Sequence, residues 1–526
     1  MLRKIRITLA AVCFVAVTLL FLDFTGTLHL WFGWLAKIQF LPAVLALNFV
    51  VIAVLLVLTL LFGRIYCSVI CPLGVFQDCV SNISSRRKGK KARFAYSKEI
   101  KWLRYGVLVL FVVALVAGLN ALVALLAPYS AYGRMVQNLL APVWQWGNNL
   151  LAWVAERRNS YAFVTKEVWL KSLPTLIVAA VTFVVVVVLA WRNGRTYCNT
   201  ICPVGTTLSF FSRFAMFRPV IDSSKCKKCR ACERKCKSSC IDVANHKIDY
   251  SRCVDCFDCI DSCRLGALRY RFAWGSRAGS ASPAAEPVVR QSSPTIEESA
   301  TSTPQALEAP GRRAFIVGGA AVIGGSLLSQ LPLNAEEEIK DKKRDGGFAE
   351  IVPKKAPSRK TPVTPFGSES VEKFYKHCTG CQLCVTVCPN NVLRPSSRLE
   401  HLMQPEMSFE KGYCRPECVK CSEVCPAGAI LKITPEEKTS WKVGTAGVDY
   451  DLCVVNRDGV SCGNCARHCP VGAISMVRKN PDDEKSLRIP SVNEERCIGC
   501  GACENLCPSR PISAITVNGC QVHHNV

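Results

Sequence analysis

The sequence has no Cys-x-x-Cys-His haem-attachment site and no G-x-G-x-x-G fingerprint at a strand-to-helix turn. Covalent c-type haem and a Rossmann-bound dinucleotide are therefore excluded as resident carriers. No stretch is left for a large catalytic domain, so the terminal reduction of any oxyanion belongs to another protein. Acidic residues are scarce: 40 Asp and Glu stand against 65 Lys and Arg, a formal charge of +25. Nearly all of that excess precedes residue 334, where it flanks apolar stretches and cysteine loops. Orientation in a membrane accounts for it, and nucleic acid does not.

Against these absences stand 32 cysteines. Cys378-Thr-Gly-Cys381-Gln-Leu-Cys384-Val-Thr-Val-Cys388-Pro389 has C-x2-C-x2-C-x3-C-P spacing, and three variants of it follow. They are Cys414, Cys418, Cys421 and Cys425 before Pro426; Cys453, Cys462, Cys465 and Cys469 before Pro470; and Cys497, Cys500, Cys503 and Cys507 before Pro508. This is the spacing of bacterial ferredoxins, in which three thiolates of a tight loop hold one [4Fe–4S] cubane and the fourth ligates its neighbour. Zinc loops pair two cysteines and need no third at the same step. Cysteines two or three residues apart also sit poorly for disulfides. The four runs predict four clusters within 371–526. A second module, 219–272, carries Cys226, Cys229, Cys232 and Cys236, then Cys253, Cys256, Cys259 and Cys263, and raises the expected total to six. Lys237 and Arg264 stand where the proline is expected, and Cys240, one helical turn beyond Cys236, is a candidate substitute ligand. Spacing alone leaves open which fourth cysteine serves which cluster.

Four stretches, 5–24, 41–62, 103–126 and 173–191, are apolar over the roughly 20 residues needed to cross a bilayer. Arg3, Lys4 and Arg6 before the first, and the basic loop 86–93 after the second, place the amino terminus and that loop in the cytoplasm. The outer loop 128–172 holds Trp144, Trp146, Trp153 and Trp169, suited to an interfacial segment. Within this membrane domain, 1–218, the motif from Gly63 to Gly74, GRIYCSVICPLG, returns as GRTYCNTICPVG from Gly194 to Gly205. In a helical turn, cysteines four apart share a face. Cys67, Cys71, Cys198 and Cys202 are thus expected to meet as a seventh metal or cluster site, with two unligated dithiols as the alternative.

Residues 273–311, rich in Ala, Ser, Pro and Glu, read as a disordered linker. Arg312 and Arg313 then open an apolar Gly/Ala-rich segment, 312–333, which reads as a twin-arginine-like fifth span; an ordinary fifth span is the alternative. Either sends the carboxy-terminal domain outward, after a second polar linker, 334–370. The expected fold class is an α-helical membrane domain (four spans plus a fifth anchor span) with two α+β ferredoxin-like iron–sulfur domains. It is expected in the cytoplasmic (inner) membrane, with the first ferredoxin domain cytoplasmic and 371–526 periplasmic.

The two GRxYCxxICPxG copies followed by a two-cluster module resemble the NapH-type membrane component of quinol dehydrogenases that feed periplasmic nitrate reductase. Residues 312–526 resemble the exported NapG-type partner, so the chain reads as a fusion of the two. The resemblance implies a quinol dehydrogenase component without its own terminal reductase site, passing electrons from membrane quinol through clusters to a periplasmic cytochrome or molybdenum reductase. It also favours exchange of fourth cysteines between the first and fourth runs and between the second and third, as in similar four-cluster subunits. Quinol oxidation also needs a proton acceptor. Asp23 and His29, near the outer end of the first span where an ionisable group is costly without a role, are the candidates. The other class of function for such a chain is an accessory factor supplying electrons to mature or reactivate a periplasmic metalloenzyme, which quinol turnover at respiratory rates would separate.

Overall fold

The computed structural model describes residues 1–87, 94–160, 162–273 and 352–525. Among the described residues, Leu2–Leu22 and Leu173–Asn193, 21 residues each, are the helices long and apolar enough to cross a bilayer. At 1.5 Å per residue each is about 31 Å long. The other two expected spans are interrupted. The stretch 41–62 breaks into Phe40–Leu45 and Phe49–Phe62, with Leu47 at φ +51° and the Asn48 side chain accepting from the Val51 N–H. An asparagine inside an apolar run offers the backbone an N-cap, and the helix restarts there. The stretch 103–126 breaks into Lys101–Val116 and Asn120–Leu126 around Gly118 at φ +73°, where the Leu119 N–H bonds the Ala114 carbonyl at 2.8 Å. That is the Schellman pattern that ends a helix. Two continuous and two interrupted helices therefore stand where four continuous spans were expected.

The outer faces of these helices stay apolar. Val12, Val15, Val50, Val54, Val57, Val109, Val113, Val181 and Val184 are each more than half exposed, and such a band marks an interaction surface. The interior is unusual for the opposite reason: Arg64, Arg104, Arg134 and Arg195 are at most 1 % exposed.

The cysteine runs fold into small α+β units. Phe217–Ile221 pairs antiparallel with Leu268–Phe272, and Ile241–Asp242 with Lys247–Ile248, around the one-turn helices Ala231–Lys235 and Asp258–Ser262. In 371–526, Trp441–Val448 pairs with Ile515–Asn525, Ile474–Arg478 with Arg488–Val492, and Leu393–Pro395 with Pro405–Met407. Where the spacing is C-x2-C-x2-C, the residue after the second cysteine is left-handed: Arg230, Phe257, Gln382 and Gly501 have φ +58°, +63°, +67° and +79°. The chain must reverse within two residues to turn three thiols inward. The second run, with three residues between Cys414 and Cys418, does not need this, and Val419 sits at φ −116°.

The described parts of Met1–Ser280 and Lys354–Val526 belong to one unit, with the two ferredoxin parts at opposite ends of the helices. Arg3 and Arg6, at the start of Leu2–Leu22, reach Asp258 at 2.7 Å and the Cys256 carbonyl at 3.3 Å. Beyond the end of the same helix, the Thr25 carbonyl accepts from Lys420 Nζ at 2.7 Å. The basic loop from residue 88 to 93, the expected linker from residue 274, the twin-arginine-like segment 312–333 and 334–351 lie outside the described residues. The rest of the expected second linker is a correction. Val363 and Phe366 are at most 2 % exposed, and Arg359 Nε donates to the Val517 carbonyl at 2.7 Å, so 352–370 packs onto the carboxy-terminal unit. Its prolines disguise two large apolar residues.

Candidate iron–sulfur site

In the repeated motif most positions have an identifiable job. Gly63 and Gly194 end Phe49–Phe62 and Leu173–Asn193 at φ +73° and +72°, a conformation glycine adopts freely. In each copy the second cysteine then reaches back five residues. The Cys71 N–H bonds the Tyr66 carbonyl and the Cys202 N–H the Tyr197 carbonyl, both at 2.9 Å, a π-type turn. Pro72 and Pro203 begin the helices Pro72–Arg87 and Pro203–Ser212, in the position proline favours. Cys71 and Cys202 thus stand at helix N-termini, where a thiolate is stabilised, and the Gly205 N–H donates to Cys202 Sγ at 3.3 Å. The arginines cross over: Arg64 Nη2 donates to the Cys198 carbonyl at 3.1 Å and Arg195 Nη1 to the Cys67 carbonyl at 2.5 Å. A Cβ on Gly74 would lie 2.2 Å from the Cys67 carbonyl oxygen and 3.1 Å from Arg195; one on Gly205, 2.4 Å from the Cys198 carbonyl oxygen and 2.7 Å from Arg64. Each copy therefore holds the other's first cysteine. Cys67, Cys71, Cys198 and Cys202 become mutual neighbours, buried to 3–4 % exposure.

This donor set fits an anionic cluster. Among the described residues, Arg64 directs its guanidinium only to neutral carbonyl and amide oxygens and to Cys67 Sγ at 3.8 Å. Asp78 is a single carboxylate shared by Arg6 and Arg195, each at 2.8 Å, while Lys237, 3.6 Å from it, is paired with Asp258 at 2.9 Å. A buried charge without a partner costs several kcal/mol, so the surplus cations call for negative charge on the thiolates. Gln77 Nε2 lies 3.2 Å from Cys198 Sγ, the kind of contact that tunes a cluster's potential. No three His, Cys, Asp or Glu side chains among the described residues close tightly enough for one metal ion.

The ferredoxin runs form six more cages. Cys378, Cys381 and Cys384 enclose a small cavity with Cys425; Cys414, Cys418 and Cys421 do so with Cys388; and Cys453, Cys462 and Cys465 with Cys507. Cys469 neighbours Cys497 and Cys500, which adjoin Cys503. The first run therefore exchanges its fourth cysteine with the second, and the third with the fourth. This corrects the expected first-with-fourth and second-with-third pairing. The reason is packing: Leu383–Val387 lies against Lys420–Val424, and Asn464–Arg467 against Ala502–Leu506, so each helix delivers its terminal cysteine to the facing loop. In 219–272, Cys253, Cys256 and Cys259 face both Cys236 and Cys240, whose sulfurs are 3.5 Å apart, while Cys232 neighbours Cys226 and Cys263. Burial pushes the Asp255 carboxyl up to about 7; Asp255 also accepts from the Arg64 backbone N–H at 3.1 Å.

The cages follow one another. Cys384 neighbours Cys421, the Cys414 N–H bonds the Cys500 carbonyl at 3.0 Å, and Cys503 neighbours Cys465. Between the repeat cage and the first of this row stands Pro128–Met135. Its Arg134 faces both Tyr197 and Cys381, its Tyr129 faces Cys381 and Cys425, and a Cβ on Gly133 would meet the Cys381 carbonyl at 2.6 Å. At the other side of the repeat cage, Arg64 Nη1 bonds the Ser251 carbonyl at 3.1 Å, next to the 253/256/259 loop.

Asp23 and His29 come together at 3.1 Å, with side chains 2 % and 6 % exposed. Asp23 also accepts the N–H groups of Thr25, Gly26 and Leu28 at 2.8–3.1 Å, so it caps the turn into Thr27–Phe32, and His29 Nε2 is left buried without a partner. Sequence reasoning missed the crossing arginines, although the repeat itself carried the signal, since both copies keep Arg and Gly at the same offsets.

Comparisons agree with this layout. A 4Fe-4S binding domain model matches residues 44–91 and 175–220, one match for each copy of the repeat. A 4Fe-4S dicluster domain model matches 377–429 and 460–510, one for each exchanging pair of runs. Over 166 residues the chain is 30% identical to the methylamine utilization ferredoxin-type protein MauM of Methylophilus methylotrophus, covering 30% of this chain and 73% of that one. The chain belongs to the ferredoxin-type family that includes MauM. This ferredoxin-type chain is also 30% identical over 150 residues to the ferredoxin-type protein NapG of Haemophilus influenzae, 27% of this chain and 53% of the relative. It is 26% identical over 281 residues to an uncharacterized protein of Methanocaldococcus jannaschii, 53% of this chain and 98% of that one. No solved structure matches. A ferredoxin-type protein with these domains is an iron–sulfur electron-transfer protein.

Proposed function

We propose that the chain is a membrane quinol dehydrogenase component, a NapH-type part fused to a NapG-type part, that delivers electrons from membrane quinol to a periplasmic acceptor. Seven cages, six in ferredoxin runs and one in the repeat, are read as [4Fe–4S] sites. When bound, such clusters carry single electrons at potentials set by charge, hydrogen bonds and exposure. The observation that carries the reading is the succession of cages from Cys226 to Cys507, with Arg134, Tyr129 and Tyr197 standing between the repeat cage and the first outer cage and Arg64 reaching Ser251 on the other side. The apolar band and helices of about 31 Å support a bilayer setting, since a hydrocarbon core is about 30 Å thick. The 453/462/465/507 cage ends the row and is flanked by the exposed Arg467 and His468, a surface suited to a cytochrome or molybdenum reductase. Asp23 orients His29, whose free Nε2 is the proposed proton acceptor of the outer end.

The test uses the full chain in lipid vesicles, mixed with a menaquinol or ubiquinol analogue. Bleaching of the cluster absorbance within milliseconds to seconds supports the reading. No bleaching sinks it, and bleaching over many minutes assigns the chain to metalloenzyme maturation instead.

A further inference from the structure

We infer that a cavity of about 260 Å³ at the outer end is the pocket for the quinol ring. It lies between the π-turn Val136–Leu140, the segment before Leu173–Asn193 and the Gln382 loop of the first outer cage. This inference rests on the quinol reading above and names its substrate site. The mouth is apolar, with Trp146 61% exposed and Leu176 in the opening turns of the long helix, so a lipid-borne ring has a route in. The lining carries two buried donors without partners, Trp169 Nε1 and Gln382 Nε2. An unmet buried donor costs about 1–3 kcal/mol, which a flat ring bearing two oxygens relieves once small side-chain shifts open the two nitrogens, both closed to water here, to the cavity. The Gln382 amide is fixed in direction, because its Oε1 accepts from Asn138 Nδ2 at 3.1 Å. Lys171 supplies a positive wall, its Nζ 3.4 Å from the Val385 carbonyl and 3.3 Å from the Gln137 amide, and so favours loss of the first quinol proton. A π-turn at this place fits the tendency of such turns to mark functional sites.

The position also satisfies the chemistry. Gln382 lies between Cys381 and Cys384, so a ring bonded to it stands against the first outer cage. Oxidation of one quinol breaks two O–H bonds. A cluster held by Cys378, Cys381, Cys384 and Cys425 would take the two electrons one at a time, the first passed on to the next cage before the second arrives, and the two protons would leave by the open mouth on the end that carries the proposed acceptor His29.

The experiment compares full-length wild type with Trp169→Phe and Gln382→Leu, using 2-heptyl-4-hydroxyquinoline N-oxide as the binding probe and a soluble quinol analogue as reductant. Each substitution is expected to weaken probe binding about tenfold, the equivalent of about 1.4 kcal/mol, and to raise the quinol KM, while iron content and dithionite bleaching stay at wild-type levels. Should Gln382→Leu lose iron, Trp169→Phe decides. Wild type reduced by quinol, with variants indistinguishable from it in probe binding, overturns the pocket and leaves the quinol reading standing. A wild type that neither binds the probe nor accepts electrons from quinol overturns both.

Discussion

The ferredoxin cages and the repeat cage use the same ligand but are assembled differently. In a run such as Cys378–Cys388, three of the four thiols come from one tight loop, and only a single cysteine is borrowed. Closing so short a loop costs little chain entropy. In the repeat, two cysteine pairs 131 residues apart meet only because helices bring them together, and the motif gives its Arg and second Gly to that meeting. The difference teaches where each cage is vulnerable: the local one at its cysteines, the assembled one also at residues that never touch iron.

The sharpest way to break that comparison is Arg195→Met. It leaves Asp78 with fewer partners and the Cys67 carbonyl without its donor. Breaking a buried pair this way costs about 3–5 kcal/mol, so thermal unfolding should shift markedly down with loss of repeat-cage iron. Arg457→Met, removing an exposed pair in the third run, should stay within about 0.5 kcal/mol. Next comes Gly205→Ala. Its Cβ would press on the Cys198 carbonyl and on Arg64, an overpacking cost of about 1–3 kcal/mol, read by thermal unfolding and iron content. Cys425→Ser then sharpens the ferredoxin side. It should alter the EPR signal of the cluster on Cys378, Cys381 and Cys384 and leave that on Cys414, Cys418 and Cys421 intact; a change at the cluster on Cys453, Cys462 and Cys465 instead would restore the second-with-third pairing.

The smallest effect concerns pH. Burial holds the His523 imidazole below its ordinary range, with Nδ1 donating to the Ser368 carbonyl at 2.5 Å. Its folded pKa lies below the unfolded value near 6.5, so below about that pH the unfolded chain binds more protons. Stability therefore falls on acidification and is level above it. His523→Gln should flatten that slope in melts between pH 5 and 7.5.

Much of this was legible in the sequence because ligand spacing is a local property. The 24 run cysteines and the repeat could be read directly, and the repeat made Cys67, Cys71, Cys198 and Cys202 candidates to meet, although each copy turns through a π-type bond and not through an α-helical face. Pairing of the runs was not legible, since it depends on which loop helices face each other. Asn48 and Gly118 were visible, but the apolar average around them hid their effect on the helices. Trp169 and Gln382, 213 residues apart, share a cavity only after the carboxy-terminal unit docks.

Iron quantitation with redox-poised EPR, on the full chain and on a Cys67→Ser/Cys198→Ser variant, tests the central claim most directly. The account predicts that the variant loses one cluster, about four irons, and that quinol then reduces the outer row while the 226–263 module stays oxidised. Unchanged iron, or reduction of both modules at wild-type rates, would contradict it.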